Sequence, residues 1–229
     1  MRKIAIILAG GRGTRMQSDI PKQFMLLKDK PVINYSIDAF EDSLVIDGFI
    51  IAAPSSDVDY ISQNILTRRN CRKFLGFSES GDTRYATIKN ALDYLCENGY
   101  EDDTCVFIHD SARPYITQDL LIKLFGTFGK YGNAIPCVKV KDTIKEVRDG
   151  VITESPDREL LWVAQTPQVF SLAKIRDAYN KMYEQGDFNA ITDDAEVAKR
   201  FGGIKCHVVE GNYQNIKITT KEDINRNTI

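Results

Sequence analysis

Histidine is nearly missing from this 229-residue sequence: only His109 and His207 occur. A multi-histidine zinc centre or a Ser-His-Asp triad therefore has little to build on. Long apolar runs are also missing, and nothing approaches the ~20 residues that a membrane span needs. The first apolar run, Ile4 to Ala9, is too short for a signal-peptide core, and no small-residue cleavage site follows it. The five cysteines, Cys71, Cys96, Cys105, Cys137 and Cys206, are odd in number and contain no close pair. That spacing excludes a disulfide framework and a cysteine-rich metal site, and it suits a reducing cytoplasm. Neither sign of charge dominates: 30 Lys and Arg stand against 32 Asp and Glu, a net charge of −2. The chain as a whole thus has no bulk attraction for nucleic acid. No fixed-period repeat or low-complexity stretch is present.

Apolar residues at 43% and charged residues at 27% are ordinary for a globular core of this length, and one α/β domain over 1–229 is expected. Short apolar runs alternate with amphipathic stretches. Ile4 to Leu8 reads as a buried strand stopped by Gly10 and Gly11, and Gly48 to Ala53 as another stopped by Pro54. Cys105 to His109 and Ala134 to Val140 are also strand-like. Helices are expected over Pro31 to Phe40, Val58 to Leu66, Arg84 to Cys96 and Ile116 to Phe125, the last with Thr117 at or near its N-cap. This alternation predicts a doubly wound, mostly parallel sheet between helical layers, with ligands gathering beyond the strand C-termini. Asp142 to Val147 and Val151 to Glu154 flank Arg148-Asp149-Gly150, a strong hairpin signal. Its low apolar content leaves both a solvated ribbon and a dimerisation arm open.

Four clusters carry candidate chemistry. Leu8-Ala9-Gly10-Gly11-Arg12-Gly13-Thr14-Arg15-Met16, then Pro21-Lys22-Gln23, follows the first strand. Glycine lets backbone N–H groups approach phosphate oxygens, and Arg15 and Lys22 add positive charge. A Walker loop would end in Gly-Lys-Ser/Thr, which Gly13-Thr14-Arg15 does not supply. A dinucleotide fingerprint would have a small residue where Met16 stands, so a nucleotide triphosphate site is the better reading. A dehydrogenase would further need an acid after the second strand, where Ala52-Ala53-Pro54 stands. Gly81-Asp82-Thr83-Arg84-Tyr85-Ala86-Thr87 opens a predicted helix, and taken alone it is a capping segment. In His109-Asp110-Ser111-Ala112-Arg113-Pro114 a carboxylate at a strand end could hold magnesium against phosphates, while His109 reads as a packed residue. The last group holds Asp157-Arg158, Trp162, Gln165-Thr166-Pro167-Gln168, Thr192-Asp193-Asp194 and Asn215-Ile216-Lys217-Ile218-Thr219. Alternation there turns Lys217 away from its apolar neighbours, by default to solvent.

In this order the clusters resemble one family, the cytidylyltransferases acting on methylerythritol phosphate and on ribitol phosphate. The likeness runs from Ile4 to Asp223 and includes Lys141-Asp142-Thr143-Ile144-Lys145. It implies a Rossmann-like nucleotidyltransferase domain using CTP and Mg2+, with a β-arm at about 138–160 that interlocks two subunits as a homodimer. By this resemblance Arg15, Lys22, Arg158 and Lys217 are the catalytic set, with Arg158 reaching the neighbouring subunit's site. The nucleotide is expected on Leu8, Ala9, Gly10, Gly11, Gly13, Gly81, Asp82, Thr83, Arg84, Thr87 and Ser111, and the metal on Asp110. Arg113, Thr143 and Thr192, with Arg158 and Lys217, match positions around the acceptor. Thr87 and Ser111 replace the family's frequent Ser and Ala. The run from Asp142 to Gln168 leans to methylerythritol phosphate, and His109-Asp110-Ser111 leans to ribitol phosphate. A homologue that kept nucleotide binding and lost catalysis is the remaining alternative.

Overall fold

In the computed structural model, residues 1–11 and 20–226 are described. Gly13 and Arg15, both assigned site roles above, lie outside the described residues. Strand β1 (Lys3–Leu8) is followed by a short hairpin, β2 (Leu26–Leu27) with β3 (Lys30–Pro31), and by α1 (Val32–Glu41). Strand β4 (Gly48–Ala53), α2 (Ser55–Ile61), a π-helical turn at Ser62–Leu66 and the short α3 (Thr67–Arg69) come next. Then come β5 (Phe74–Glu79), α4 (Arg84–Glu97), β6 (Cys105–Asp110), α5 (Gln118–Tyr131) and β7 (Asn133–Lys139). The hairpin β8 (Glu146–Arg148) with β9 (Val151–Glu154) precedes β10 (Trp162–Ala164), β11 (Gln168–Ser171), α6 (Leu172–Gln185), α7 (Asp194–Gly202), β12 (Val208–Glu210) and α8 (Lys221–Arg226).

The main sheet runs β10-β7-β11-β6-β1-β4-β5, with β12 also paired to β7. Strands β6, β1, β4 and β5 are mutually parallel, and β11 lies antiparallel between β6 and β7. The central strands are apolar on both faces because helices cover both faces. Ile4, Ile6 and Leu8 pack with α4, α6 and α7, whereas Ala5 and Ile7 pack with α1 and α5. That period-two division produces the expected three layers.

The central elements match the sequence reading closely, and the differences have local causes. Helix α5 extends to Tyr131, beyond the expected Phe125, although Gly126 and Gly129 weaken helix propensity. Leu124 and Phe128 are buried against the sheet, and their packing outweighs that weakness. The helix stops at Gly132, where φ is +75°. Paired residues in the arm are fewer than expected: β8 begins at Glu146, so residues 142–145 lie outside it. Asp149 and Gly150 take φ of +51° and +80°, the turn that Asp-Gly favours.

Candidate active site

The order β6-β1-β4-β5 reverses direction at β1, and Leu8 is in register with Asp110 across that boundary. Strand ends at such a switch point splay apart and leave a crevice. A cleft of about 700 Å³ occupies this place, and Gly10, Lys22, Gly81, Arg84, Asp110 and Lys217 are among its walls.

The cleft's backbone depends on two close approaches. A Cβ on Gly10 would lie 2.5 Å from Ser80 Cβ, and one on Gly81 would collide with Ala86. Thr83 caps α4 by accepting from the Ala86 N–H at 3.1 Å. The Thr87 hydroxyl accepts from Gly81 N–H at 3.0 Å and donates to the Thr83 carbonyl at 3.0 Å. The 81–83 loop and the first turn of α4 are therefore one bonded unit at the cleft wall, where a helix N-terminus favours anions. Thr83 is the capping residue that the local sequence suggested, and the Thr87 hydroxyl is committed to the loop. Gln23, next to Lys22, donates to the Ala9 carbonyl at 2.7 Å and ties its segment to the end of β1.

Charges then converge from distant parts of the chain. Asp110 Oδ1 accepts from Arg84 Nε at 3.1 Å, and Asp110 Oδ2 from Lys217 Nζ at 2.6 Å. Burial by itself would raise the Asp110 pKa, but Arg84 and Lys217 outweigh it and hold the carboxyl well below the usual range. Lys217 thus points into the cleft instead of the solvent that alternation made its default. Residues 215–220 form no strand, and Ile218 N–H donates to the Ala112 carbonyl at 2.8 Å while its side chain is buried.

Behind this cluster lies a polar layer. His109 is fully buried, with Nδ1 2.9 Å from Thr166 Oγ1 and Nε2 3.2 Å from the Arg113 carbonyl. Nε2 is also 3.1 Å from Ser36 Oγ, so two hydroxyls and a carbonyl surround the ring nitrogens. Burial drives the His109 pKa down to about 3. Thr166 Oγ1 accepts in turn from the Asp110 N–H at 3.1 Å. Gln165 donates to the Asn212 carbonyl, and Asn215 donates to the Thr166 carbonyl at 2.9 Å, which anchors the loop that carries Lys217. These contacts account for the Gln165-Thr166-Pro167-Gln168 motif as support for Asp110 and Lys217.

Of the residues given site roles from the sequence, Leu8, Gly10, Gly11, Lys22, Gly81, Asp82, Thr83, Arg84, Thr87, Asp110, Ser111 and Lys217 line the cleft. Ala9 is buried beside it and donates its N–H to Ala52 at 2.8 Å. Arg113, Thr143, Arg158 and Thr192 are not part of the cleft wall formed by the described residues. The Arg113 guanidinium donates to the carbonyls of Asn215 at 2.8 Å and Ala164 at 3.2 Å. Arg158, at the root of the arm, is exposed and donates to the Lys141 carbonyl at 3.1 Å. Thr143 and Thr192 are exposed. Among the described residues no group of three or more His, Cys, Asp or Glu side chains could hold a metal, so an ion at Asp110 would rely on that carboxylate and on substrate oxygens. A carboxylate offers about four lone-pair positions, and Arg84 and Lys217 leave some of them open. Magnesium commonly takes one protein carboxylate together with substrate phosphates, so the donor set fits.

A doubly wound α/β sheet that brings Lys22, Arg84, Lys217 and Asp110 together in its switch-point cleft suits a nucleotidyltransferase. Residues 3–229 match the family model described as 2-C-methyl-D-erythritol 4-phosphate cytidylyltransferase, and the chain belongs to that family. A relative of that name from Lachnospira eligens is 42% identical over 221 residues, covering 96% of this chain and 95% of its own. Another from Lachnoclostridium phytofermentans is 38% identical, covering 98% and 94%. The crystal structure of the Francisella tularensis 2-C-methyl-D-erythritol 4-phosphate cytidylyltransferase is similar with a TM-score of 0.82 at 30% identity, covering 99% and 98%.

Proposed function

We propose that this protein transfers CMP from CTP to 2-C-methyl-D-erythritol 4-phosphate and releases pyrophosphate, the whole chain acting as one cytidylyltransferase domain. The observation that carries this reading is the meeting of Lys22, Arg84, Lys217 and Asp110 at the β1–β6 switch point, in a member of that family. The reaction forms a bond from an acceptor phosphate oxygen to the α-phosphorus and breaks the bond from that phosphorus to the α,β-bridging oxygen. The electron pair leaves with pyrophosphate. The attacking phosphate is already anionic, so no general base is needed, and the task is to screen like charges and align the groups.

Gly10, Gly11 and the 81–83 loop would grip the nucleotide, with Ser111 and Thr87 beside it. Lys22, with Arg15, would hold charge that develops at the α-phosphate. Lys217 would bind the incoming phosphate. Asp110 would hold a magnesium ion against the triphosphate; when bound, that ion supplies charge neutralisation and eases the departure of pyrophosphate. Arg113 would support the acceptor site through its bonds to the 164 and 215 carbonyls.

Arg158, Thr143 and the arm would complete the acceptor site of a second copy, with Thr192 at its rim, which makes the working unit a homodimer. The support is exposed apolar surface concentrated on the arm and the adjoining edge strand: Val147, Val151, Ile152, Leu160, Trp162 and Val163. Such a patch is a liability unless another surface covers it. The five free cysteines suit a cytoplasmic setting, where CTP is available. Among the described residues no helix is long and apolar enough to cross a membrane.

The motif His109-Asp110-Ser111 leaned towards ribitol phosphate; the His109 ring is buried behind the cleft, while Asp110 and Ser111 line it. The deciding experiment measures pyrophosphate release from CTP and Mg2+, with the two polyol phosphates offered in parallel. Release with 2-C-methyl-D-erythritol 4-phosphate is the expected result. Release with ribitol phosphate alone would overturn the acceptor, and silence with both despite CTP binding would indicate a homologue that binds without catalysis.

A further inference from the structure

Asp194 opens α7 and is wholly shielded from solvent. It does not cap its own helix: Asp193 does so by accepting the Glu196 N–H at 2.9 Å. The Asp194 carboxylate faces inward instead. Its Oδ1 accepts from Arg84 Nη1 at 3.1 Å and from the Tyr179 hydroxyl at 2.7 Å, and its Oδ2 accepts from Arg84 Nη2 at 2.8 Å. Two parallel bonds from a guanidinium to a carboxylate set the plane of both groups. The third nitrogen of Arg84, Nε, donates to Asp110 in the cleft. A continuous line thus runs from Tyr179 in α6 through Asp194, Arg84 and Asp110 to Lys217.

An anion buried this deeply is costly unless it is paired, and apolar replacements often stabilise a core equally well. Packing therefore does not account for a charge at position 194. What the charge does is hold the two terminal nitrogens of Arg84, whose Nε bond to Asp110 would otherwise be its one charged anchor among the hydrogen bonds described. We infer that Asp194, backed by Tyr179, is a positioning residue for cytidylyl transfer. It fixes the Arg84 fork so that Nε orients the Asp110 carboxylate and the remaining N–H groups face the triphosphate. The inference rests on the CTP-dependent reaction proposed above.

The test is CTP affinity by calorimetry, in EDTA and with Mg2+, on Asp194→Asn, Arg84→Lys and the double variant, beside steady-state kinetics. Asparagine keeps the shape of aspartate but turns an NH2 group towards the guanidinium, which breaks the fork. Asp194→Asn is expected to weaken CTP binding about tenfold or more and to leave the KM of the acceptor unchanged. In the Arg84→Lys background, where no fork exists, the same change should add almost nothing. A merely structural residue would lower affinity equally in both backgrounds. That outcome, or a folded Asp194→Asn with normal CTP affinity, overturns the inference. If Asp194→Asn does not fold, Tyr179→Phe replaces it in the same comparison, because it removes only the hydroxyl from a buried ring. A loss of about twofold or more confined to the Arg84 background supports the inference, and unchanged affinity overturns it. A wild-type protein that fails to bind CTP would overturn the proposed function and this inference together, whereas normal wild-type binding with unaffected variants overturns the inference alone.

Discussion

Lys217 Nζ lies 2.6 Å from Asp110 Oδ2, so a residue near the C-terminus meets a carboxylate at the end of a central strand. Arg84 occupies the other oxygen at 3.1 Å. This pairing keeps the Asp110 carboxylate between two cations on the cleft wall, an arrangement suited to a polyphosphate and an incoming anion.

Replacing Asp110 by Asn should remove the carboxylate proposed to hold magnesium and leave Arg84 and Lys217 facing each other. Turnover is expected to fall at least about 10²-fold. Stability should fall by roughly 1–3 kcal/mol, less than for a sealed pair, because the Lys217 side chain is 34% exposed. The pKa of Asp110 is depressed from its ordinary 3.8, so its contribution is present above that value and is lost as the pH falls below it. Urea unfolding of both proteins at neutral and acidic pH checks the stability claim, and pyrophosphate release checks the turnover.

Lys22→Ala should leave the fold intact, since the neighbouring Gln23 still ties the segment to Ala9. Its turnover is expected to fall about 10²–10³-fold, the range for losing one donor to developing charge. Near-normal turnover would remove Lys22 from the mechanism.

His109 predicts acid lability of a different origin. Its pKa falls from 6.5 to about 3 on folding, so the unfolded chain binds the extra proton between those values. Stability from this group is full above about pH 6.5 and declines as the pH falls towards 3. From pH 7 to pH 5 the loss should be about 2 kcal/mol, at 1.36 kcal/mol per unit below the unfolded value. A His109→Gln protein, although less stable overall, should lack that increment in urea unfolding at the two pH values.

Arg158 offers a test of the arm. If it serves the neighbouring subunit's site, Arg158→Ala and Lys22→Ala proteins mixed and re-equilibrated should recover activity. Each mixed dimer then holds one site with both residues intact, so about a quarter of wild-type activity is expected. No recovery, despite mixed dimers detected by mass, would place Arg158 in its own chain's site.

Much of the site was legible locally. Gly10 follows the first predicted strand and Asp110 ends another, where chain reversal invites ligands, whereas the 81–87 segment read alone as a cap; Asp149-Gly150 announced its turn. Lys217 was not legible from its neighbours, since Ile216-Lys217-Ile218 fits an exposed strand as well as a loop held at Ala112. Tyr179 carried no signal either, because a tyrosine inside an amphipathic helix reads as core.

Short-range physics was enough to set β1, β4, β6 and β7, the starts of α1, α4 and α5, and the hairpin, for these depend on apolar period and caps within a few residues. It gave no reading of β5, β11, α6 or α7, and the family rested on the resemblance of motifs in their order. Long-range contact alone decided which charges meet. The Asp194–Arg84–Asp110–Lys217 line joins four segments brought together by sheet order, and its electrostatics exist only once burial removes water from between them. The same burial makes His109, already read from the sequence as a packed residue, a neutral strut behind the cleft.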